Sequence, residues 1–210
     1  MPLPNYFKDR YKDWKDNVFP NKKNSYRFLE KEGQNPKAMI ISCCDSRIDP
    51  NKIFKAEEGD FFIHRNIANL VPSFESKNIS YETLAAIKYA VKELNINDLI
   101  ILGHSSCGGI KHAYQLFSKE IDETESVLDK WINIIKPAYE ILDNHLNKKD
   151  CIKSLEKLSI VNSISNIISF PEINDMILKN KLNIHGLWFE ISSGNMMYYN
   201  QESKKFENIY

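Results

Sequence analysis

The 210-residue chain has no net charge, few cysteines and no long apolar run, and each absence excludes a class of protein. Lysine and arginine together number 28, as do aspartate and glutamate, so the overall charge would not attract nucleic acid or an acidic membrane. Four cysteines are too few to be the framework of a disulfide-rich fold. No uninterrupted apolar run approaches the ~18 residues of a membrane-spanning helix.

The opening residues, MPLPNYFKDRYKDW, also lack the basic start and apolar stretch of a secretory signal. We therefore expect a soluble protein of the cytoplasm, where cysteines stay reduced and are free for metal or chemistry. Hydrophobic residues make up 42% of the chain and aromatic residues 11%, which is typical of a globular protein. At this length we expect one domain over residues 1–210, with an N-terminal helical arm at 1–32 and a core at 33–210.

The N-terminal arm begins with apolar residues at helical spacing and charged residues between them: Phe7, Tyr11, Trp14 and Val18. This pattern predicts an amphipathic helix, which Pro20 is expected to end. Such a helix needs an apolar surface to lie on, either of its own domain or of a partner subunit.

The core alternates predicted strands with predicted helices. Short apolar runs predict the strands, and apolar positions at helical spacing predict the helices. Strands are expected at 37–43, 59–69 and 97–104, helices at 81–94, 129–146 (bent at Pro137) and 151–168, and a strand pair around a glycine turn within 183–200. This order is typical of an α/β fold with a central, mostly parallel β-sheet flanked by helices.

Two polar motifs follow predicted buried strands, and the first of them, CCDSR, begins at Cys43. Adjacent cysteines do not readily bridge each other. If the chain stays extended here, Cys43, Asp45 and Arg47 point to one side. That side would carry a metal ligand, a proton acceptor and a cation that holds the acceptor in place.

The second motif, GHSSCGG, separates His104 from Cys107 by two residues, a spacing that lets a loop or helix start bind one metal ion. Because crevices in α/β sheets lie at the carboxyl ends of the strands, Cys43, His104 and Cys107 are expected to converge. Three protein ligands with an open fourth position are the pattern of a catalytic zinc. Alone, either motif has an ordinary interpretation, a buried thiol or a capped turn with an ion pair, but their joint placement favours a metal.

Five segments, CCDSRIDP, GDFFIHRNIANLVP, AAIKYAV, GHSSCGG and IHGLWFEI, resemble motifs of the β-class carbonic anhydrases in the same order and at similar separations. The resemblance covers most of the chain, from about Gln34 to about Gly194. It implies one zinc ion per chain on the Cys, His and Cys ligands above, and the reversible hydration of carbon dioxide to bicarbonate and a proton. Asp45 would aim the nucleophile through a hydrogen bond, and Arg47 would hold Asp45 ionised and oriented.

The resemblance also implies a substrate pocket built across the interface of a homodimer or homotetramer, with the arm packed on the partner subunit and residues 33–210 as the catalytic core. The implied substrate-binding residues are Gln34, Phe62, Ile67, Tyr89 and the backbone N–H of Gly108. From sequence alone, Phe62, Ile67 and Tyr89 are equally typical of an ordinary core. His64 adjoins this pocket and is a candidate proton relay, because its ordinary pKa lies near neutrality.

A subgroup of bacterial relatives carries a second, regulatory bicarbonate site made of a tryptophan, an arginine and a tyrosine. The corresponding positions here hold Ile40, Arg65 and Phe189, so two of the three polar contacts are missing. We therefore expect Asp45 to stay paired with Arg47 and bicarbonate to act only as the product.

Two alternative functions stay open. Carbonyl sulfide and carbon disulfide hydrolases share the fold and similar zinc ligands, but they narrow the entrance, and no occluding insertion is evident here. A structural or redox zinc protein would have no need of Asp45 and Arg47, and would more often close the site with a fourth Cys or His. The two other cysteines, Cys44 and Cys151, are expected to be buried thiols of a strand and a helix.

Overall fold

The computed structural model describes residues 1–76, 81–124, 126–143 and 145–210. Its centre is a six-stranded sheet in the order β2-β1-β3-β4-β5-β6, with helices on its faces, so the predicted α/β class is confirmed. The strands are β1 Ala38–Cys43, β2 Phe61–Asn66, β3 Asp98–His104, β4 Asn183–Phe189, β5 Met196–Asn200 and β6 Lys205–Asn208.

The helices connect these strands and form the N-terminal arm. Among the residues that the structure describes, none of the helices has both the length and the apolar character that crossing a membrane requires. The α-helices are α1 Asn5–Asp13, α2 Phe19–Glu32, α3 Pro50–Ile53, α4 Glu82–Lys92, α5 Gly108–Phe117, α6 Val127–Ile132, α7 Lys136–Glu140, α8 Lys148–Ile168 and α9 Pro171–Leu178.

Four parallel strands form one side of the sheet, from the edge strand β2 to β4. β1 pairs with β2 on one side and with β3 on the other, and β3 pairs with β4. Strands β5 and β6 then continue the sheet in the antiparallel sense. In the β1–β3 register Ser42 lies opposite Leu102, so Cys43 and His104 both emerge at the same edge of the sheet.

Alternate residues of β1 enter different parts of the core, as expected for a strand buried on both faces. Met39 and Ile41 join a large cluster with side chains of α4, α8 and α9. Ile40 instead joins Ile48 and Leu102 on the opposite face. A third cluster, formed with α5, α6, α7 and α8, surrounds Cys43 and Cys107.

Helix α8 lies close against β3 because a glycine leaves room for it. A Cβ atom on Gly103 would come within 2.7 Å of the Cδ1 atom of Ile160, closer than packed carbon atoms approach. Ile160 is itself fully buried. This contact brings the middle of α8 beneath the carboxyl ends of the parallel strands.

The N-terminal arm differs from the prediction, because the helix does not end at Pro20. Helix α1 continues through a π-helical turn, Trp14–Val18, into α2. Pro20 lies in the first turn of α2, where its missing N–H has no helical partner to lose. No residue of α1, the π-turn or α2 is buried.

Two core elements are shorter than predicted. The strand expected at 59–69 ends at Asn66, because Ala68 and Asn69 have positive φ angles of 63° and 50° that turn the chain out of the sheet. The helix expected at 129–146 breaks into α6, a 3₁₀ turn at Asn133–Ile135 and α7. Pro137 lies in the first turn of α7, so a break near it is confirmed, but the helix ends at Glu140; position 144 lies outside the described residues.

The remaining expected elements are present. Strands 37–43 and 97–104, helices 81–94 and 151–168 and the strand pair within 183–200 are each confirmed to within a few residues. Strand β6 and helices α3 and α9 were not predicted. All three are short, and short segments carry a weak periodic signal.

The Ile160→Ala substitution should lower the free energy of unfolding by about 2–5 kcal/mol, because it leaves a cavity between α8 and β3. Chemical denaturation followed by circular dichroism would measure the change. Ile168→Ala on the same helix is the control, since Ile168 is 39% exposed and should cost much less. Equal effects of the two substitutions would contradict the proposed packing of α8.

Candidate metal centre

Three side chains that the motifs predict as metal ligands meet at the carboxyl edge of the sheet. Cys43 ends β1, His104 ends β3, and Cys107 is the residue before α5. All three residues are buried, and their candidate ligand atoms lie within 4.8 Å of one another. The two sulfur atoms are 3.9 Å apart, close to the ~3.8 Å expected for two thiolates 2.3 Å from one tetrahedral zinc ion.

His104 is oriented to bind a metal through one particular nitrogen. Its Nδ1 atom lies 2.9 Å from the backbone carbonyl oxygen of Ser105. Because a carbonyl only accepts hydrogen bonds, Nδ1 carries the proton and Nε2 presents a lone pair. Nε2 is buried without a hydrogen-bond partner in the described structure. A buried acceptor of this kind is costly unless something binds it, and a metal ion meets that requirement.

The two thiols favour a cation between them. Contact with Cys107 lowers the pKa of Cys43, because the neighbouring thiol donates to its thiolate. The same contact raises the pKa of Cys107, because a second negative charge would form beside the first. A divalent cation offsets both charges, and two thiolates with a neutral imidazole form a donor set suited to zinc. The residues present therefore fit zinc.

Asp45 and Arg47 are paired as predicted, but through a turn and not through an extended strand. Strand β1 ends at Cys43, and residues 46–47 form a turn. Arg47 Nε donates to Asp45 Oδ1 at 2.9 Å, Arg47 Nη2 donates to Oδ2 at 2.7 Å, and the Arg47 backbone N–H also donates to Oδ1 at 3.0 Å. These bonds hold the pKa of Asp45 well below its usual range.

The turn is tied to the rest of the site by two guanidinium groups. Arg65 Nε donates to the carbonyl of Cys43 at 2.9 Å, and its Nη2 donates to the carbonyls of Asp45 at 2.8 Å and Ile48 at 2.6 Å. Arg47 Nη2 also donates to the carbonyl of Ser106 at 3.0 Å. The carboxylate of Asp45 is therefore fixed relative to both metal-ligand motifs.

Asp45 lies beside the ligand group but is already engaged. Its Oδ2 atom is 3.9 Å from Nε2 of His104 and is held by Arg47. In the part of the chain that the structure describes, the group of candidate ligands has three members, Cys43, His104 and Cys107. A site with three ligands and an ion-paired acid beside it does not match the closed pattern of a structural zinc.

The two remaining cysteines differ in their surroundings. Cys151 is buried in α8, as predicted. Cys44 is exposed, so the expectation of a buried strand thiol was wrong. The physical reason is that β1 ends one residue earlier, at Cys43, and the chain leaves the core there.

The residues implied in substrate binding are more dispersed. The rings of Phe62 and Tyr89 contact each other with centroids 5.8 Å apart, and Tyr89 and Ile67 are 47% and 41% exposed. Gly108 is the first residue of α5, with open space where a side chain would lie. Gln34 is exposed between α2 and β1.

Ile67 packs closely against the segment that follows Cys107, because residue 109 is a glycine. A Cβ atom on Gly109 would lie 2.9 Å from Cγ2 of Ile67 and 3.0 Å from Cβ of Ala68. The turn after β2 and the start of α5 therefore pack against each other without space for a side chain at Gly109. His64, the candidate relay, bonds Thr83 Oγ1 through Nε2 at 3.0 Å, and burial lowers its pKa.

The three positions that correspond to the regulatory site offer few free hydrogen-bonding groups to a second bicarbonate. Ile40 is fully buried in the core, and Phe189 is a half-buried residue packed on the same cluster. The guanidinium of Arg65 donates to the three carbonyls given above. The arginine is thus used to hold the turn after β1.

Sequence reasoning missed one polar residue that contacts the site. Glu156 of α8 is buried, and its Oε1 accepts a hydrogen bond from the backbone N–H of Cys107 at 3.3 Å. Burial raises the pKa of Glu156. A signal was present, because Glu156 stands on the buried side of α8 with Ile160 and Ser163, where a charged residue needs a polar partner.

Comparisons with known proteins agree with this geometry. A family model for carbonic anhydrase matches residues 38–196. Beta carbonic anhydrase 3 of Arabidopsis thaliana is 31% identical over 89% of this chain and 73% of that protein. A carbonic anhydrase of Helicobacter pylori strain J99 is 30% identical over 94% of this chain and 90% of that protein.

Solved structures are similar over nearly the whole chain. The β-carbonic anhydrase CcaA superposes with a TM-score of 0.84 at 27% identity, covering 97% of this chain and 98% of that one. A tetrameric β-carbonic anhydrase of Sordaria macrospora gives 0.77 at 29% identity, covering 93% and 97%. With the Cys, His and Cys group at the sheet edge and the paired Asp45 beside it, these matches show that the chain belongs to the β-class carbonic anhydrases.

Proposed function

We propose that this protein is a zinc-dependent carbonic anhydrase that catalyses the reversible hydration of carbon dioxide to bicarbonate and a proton. The observation that carries the proposal is the placement of an ion-paired carboxylate, Asp45, 3.9 Å from the free nitrogen of His104. A thiol-redox or structural site would have no use for this acceptor. Carbon dioxide hydration uses one, because the attacking water molecule must be held with a lone pair toward the carbon.

The residues of the site divide the work between them. Zinc bound by Cys43, His104 and Cys107 would supply a Lewis acid that makes water nucleophilic. Asp45 accepts a hydrogen bond from the attacking water. This bond turns a lone pair of the water oxygen toward the carbon of carbon dioxide. Arg47 keeps Asp45 ionised and in one orientation through its bidentate contact.

We propose that carbon dioxide lies between this carboxylate and an apolar wall that includes Phe62, Ile67 and Tyr89. The backbone N–H of Gly108 belongs to the first turn of α5, where N–H groups have no helical acceptor and suit a substrate oxygen. Gln34 would donate to bicarbonate from the edge of the pocket.

We further propose that the pocket is completed in a homodimer or tetramer. Ile67 and Tyr89 are too exposed in one protomer to form a closed apolar wall, and a second chain would cover them. The arm, residues 1–32, supports the same proposal, because exposed aromatic side chains line it without a buried contact. In this arrangement the arm packs on the partner and residues 33–210 form the catalytic core of a single domain.

The four cysteines are unpaired in the structure, and thiolate ligands must stay reduced to bind zinc. We therefore propose that the protein works in a reducing compartment such as the cytoplasm.

The unaltered protein should hold about one zinc ion per chain, and Cys43→Ser should lose most of the metal and most of the hydration activity. Elemental analysis and stopped-flow hydration of carbon dioxide measure the two quantities, and carbonyl sulfide is assayed beside carbon dioxide. Cys44→Ser is the matched control and should keep both. Full zinc retention in Cys43→Ser would remove Cys43 from the ligand set, and preferential turnover of carbonyl sulfide would replace the proposed reaction.

Asp45→Asn should retain zinc but lose hydration activity on the order of 10²-fold or more, because a neutral amide accepts a weaker hydrogen bond from water and does not form an ion pair with Arg47. Asp60→Asn is the control, since Asp60 forms a similar 2.7 Å pair with Lys37 at the surface. Near-native activity in Asp45→Asn would show that Asp45 does not take part in the reaction.

Bicarbonate should inhibit hydration as a simple product, with one binding site and no cooperativity. A regulatory ligand must bind two states of the protein with different affinity, and Ile40 and Phe189 offer it no polar contact. Initial rates over a bicarbonate series at fixed pH test this expectation. Sigmoidal inhibition, or a crystal structure near neutral pH with Asp45 oxygen at zinc-bonding distance, would overturn it.

A further inference from the structure

Glu156 is a buried acid whose carboxylate accepts from two N–H groups. Its Oε1 accepts from the backbone N–H of Cys107 at 3.3 Å, and its Oε2 accepts from the indole N–H of Trp188 at 3.2 Å. Glu156 is 3% exposed and Trp188 is 1% exposed. Both partners are donors, so the ionised carboxylate satisfies both of them at once.

Glu156 interacts with a cation at longer range, Lys157 of the same helix, but not through a direct ion pair. Among the described residues, no lysine, arginine or histidine forms an ion pair with this carboxylate, whereas the other buried acid, Asp129, lies 2.7 Å from His112. A buried carboxylate without a directly paired cation is costly. Such a group is therefore expected to have a role that an apolar residue would not fill.

The contact with Cys107 acts on one particular peptide group. The peptide between Ser106 and Cys107 presents its carbonyl to Arg47 Nη2 at 3.0 Å and its N–H to Glu156. Since the carbonyl and the N–H of a peptide point in opposite directions, the two charged side chains hold the peptide plane from both sides. Ser106 has a φ of 58°, a left-handed conformation that a non-glycine residue adopts at a cost.

We propose that Glu156 is a positioning residue for the metal centre, which fixes the Ser106–Cys107 peptide plane opposite Arg47 and so aims the Cys107 sulfur at Cys43 and His104. The inference rests on the zinc site of the proposed function. Trp188 is the anchor that keeps the carboxylate in place. Residues that orient metal ligands in this way typically change metal affinity or activity by roughly 10–100-fold when they are removed.

Glu156→Gln tests the proposal because it changes the pattern of donors without changing the size of the side chain. The amide has one acceptor oxygen, and its NH₂ group would face an N–H donor of Cys107 or Trp188. We expect the zinc-loaded variant to release zinc to a chromophoric chelator roughly 10–100-fold faster than the unaltered protein. The cobalt-loaded variant should also show shifted thiolate-to-cobalt absorption, which a purely structural role would not produce.

Ser159→Ala is the matched control. Ser159 is buried on the same helix and donates to the backbone carbonyl of Glu156 at 2.9 Å, so its hydroxyl bonds the helix itself. Its zinc release and cobalt spectrum should match those of the unaltered protein. If Ser159→Ala releases zinc as fast as Glu156→Gln, the effect is one of general destabilisation and the proposal fails.

Three further variants keep the test decisive. Trp188→Phe removes the indole donor, so in the double variant Glu156→Gln/Trp188→Phe the amide oxygen is free to turn to Cys107. The acceleration of zinc release by Glu156→Gln should therefore be smaller in the Trp188→Phe background than in the unaltered protein. If Glu156→Gln does not fold, Glu156→Asp retains the charge but draws the carboxylate back by one methylene, and faster zinc release is expected there too.

Native zinc release and an unchanged cobalt spectrum in the folded Glu156 variant would overturn the inference. This outcome differs from failure of the proposed function, in which the unaltered protein would itself hold no zinc.

Discussion

The parallel pairing of β1 with β3 is the contact on which the candidate metal centre depends. It aligns Met39–Ser42 with Leu99–Leu102, so that both strands end at the same edge of the sheet. A thiol and an imidazole from distant parts of the chain meet there without a dedicated binding loop. Because both strands are almost wholly buried, a shift of the register would expose apolar side chains as well as separate the ligands.

The charged side chains at this edge of the sheet determine which chemistry the site can support. Two thiolates and a carboxylate would repel one another in this small volume, and three groups compensate for that repulsion. A dication bound there would offset the thiolates, Arg47 holds Asp45, and Arg65 fixes the backbone of Cys43 and Asp45. The result is an acceptor that stays ionised and in place beside a three-ligand site, which is the arrangement that hydration chemistry requires.

One protomer leaves parts of this arrangement uncovered. The arm of α1 and α2 contributes no buried residue, and Ile67 and Tyr89 remain open to solvent. The same surfaces that lack a cover are those that the resemblance assigns to the subunit interface and the substrate pocket. A second copy that buries the aromatic residues of the arm would therefore also close the space in which carbon dioxide is proposed to bind.

Local sequence patterns were sufficient to predict the fold class, most strands and helices of the core and the three candidate ligands. Short apolar runs and motif spacing reflect strong local preferences, as at Ala38–Cys43 and at His104 and Cys107. Features that depend on contacts between distant residues are seen only in the tertiary structure. Asp45 meets Arg47 across a turn held by Arg65, the arm helix continues past Pro20, and Glu156 reaches Cys107 because Gly103 lets α8 approach β3. Local sequence does not encode these contacts, since each depends on which side chain another element brings within hydrogen-bond or van der Waals distance.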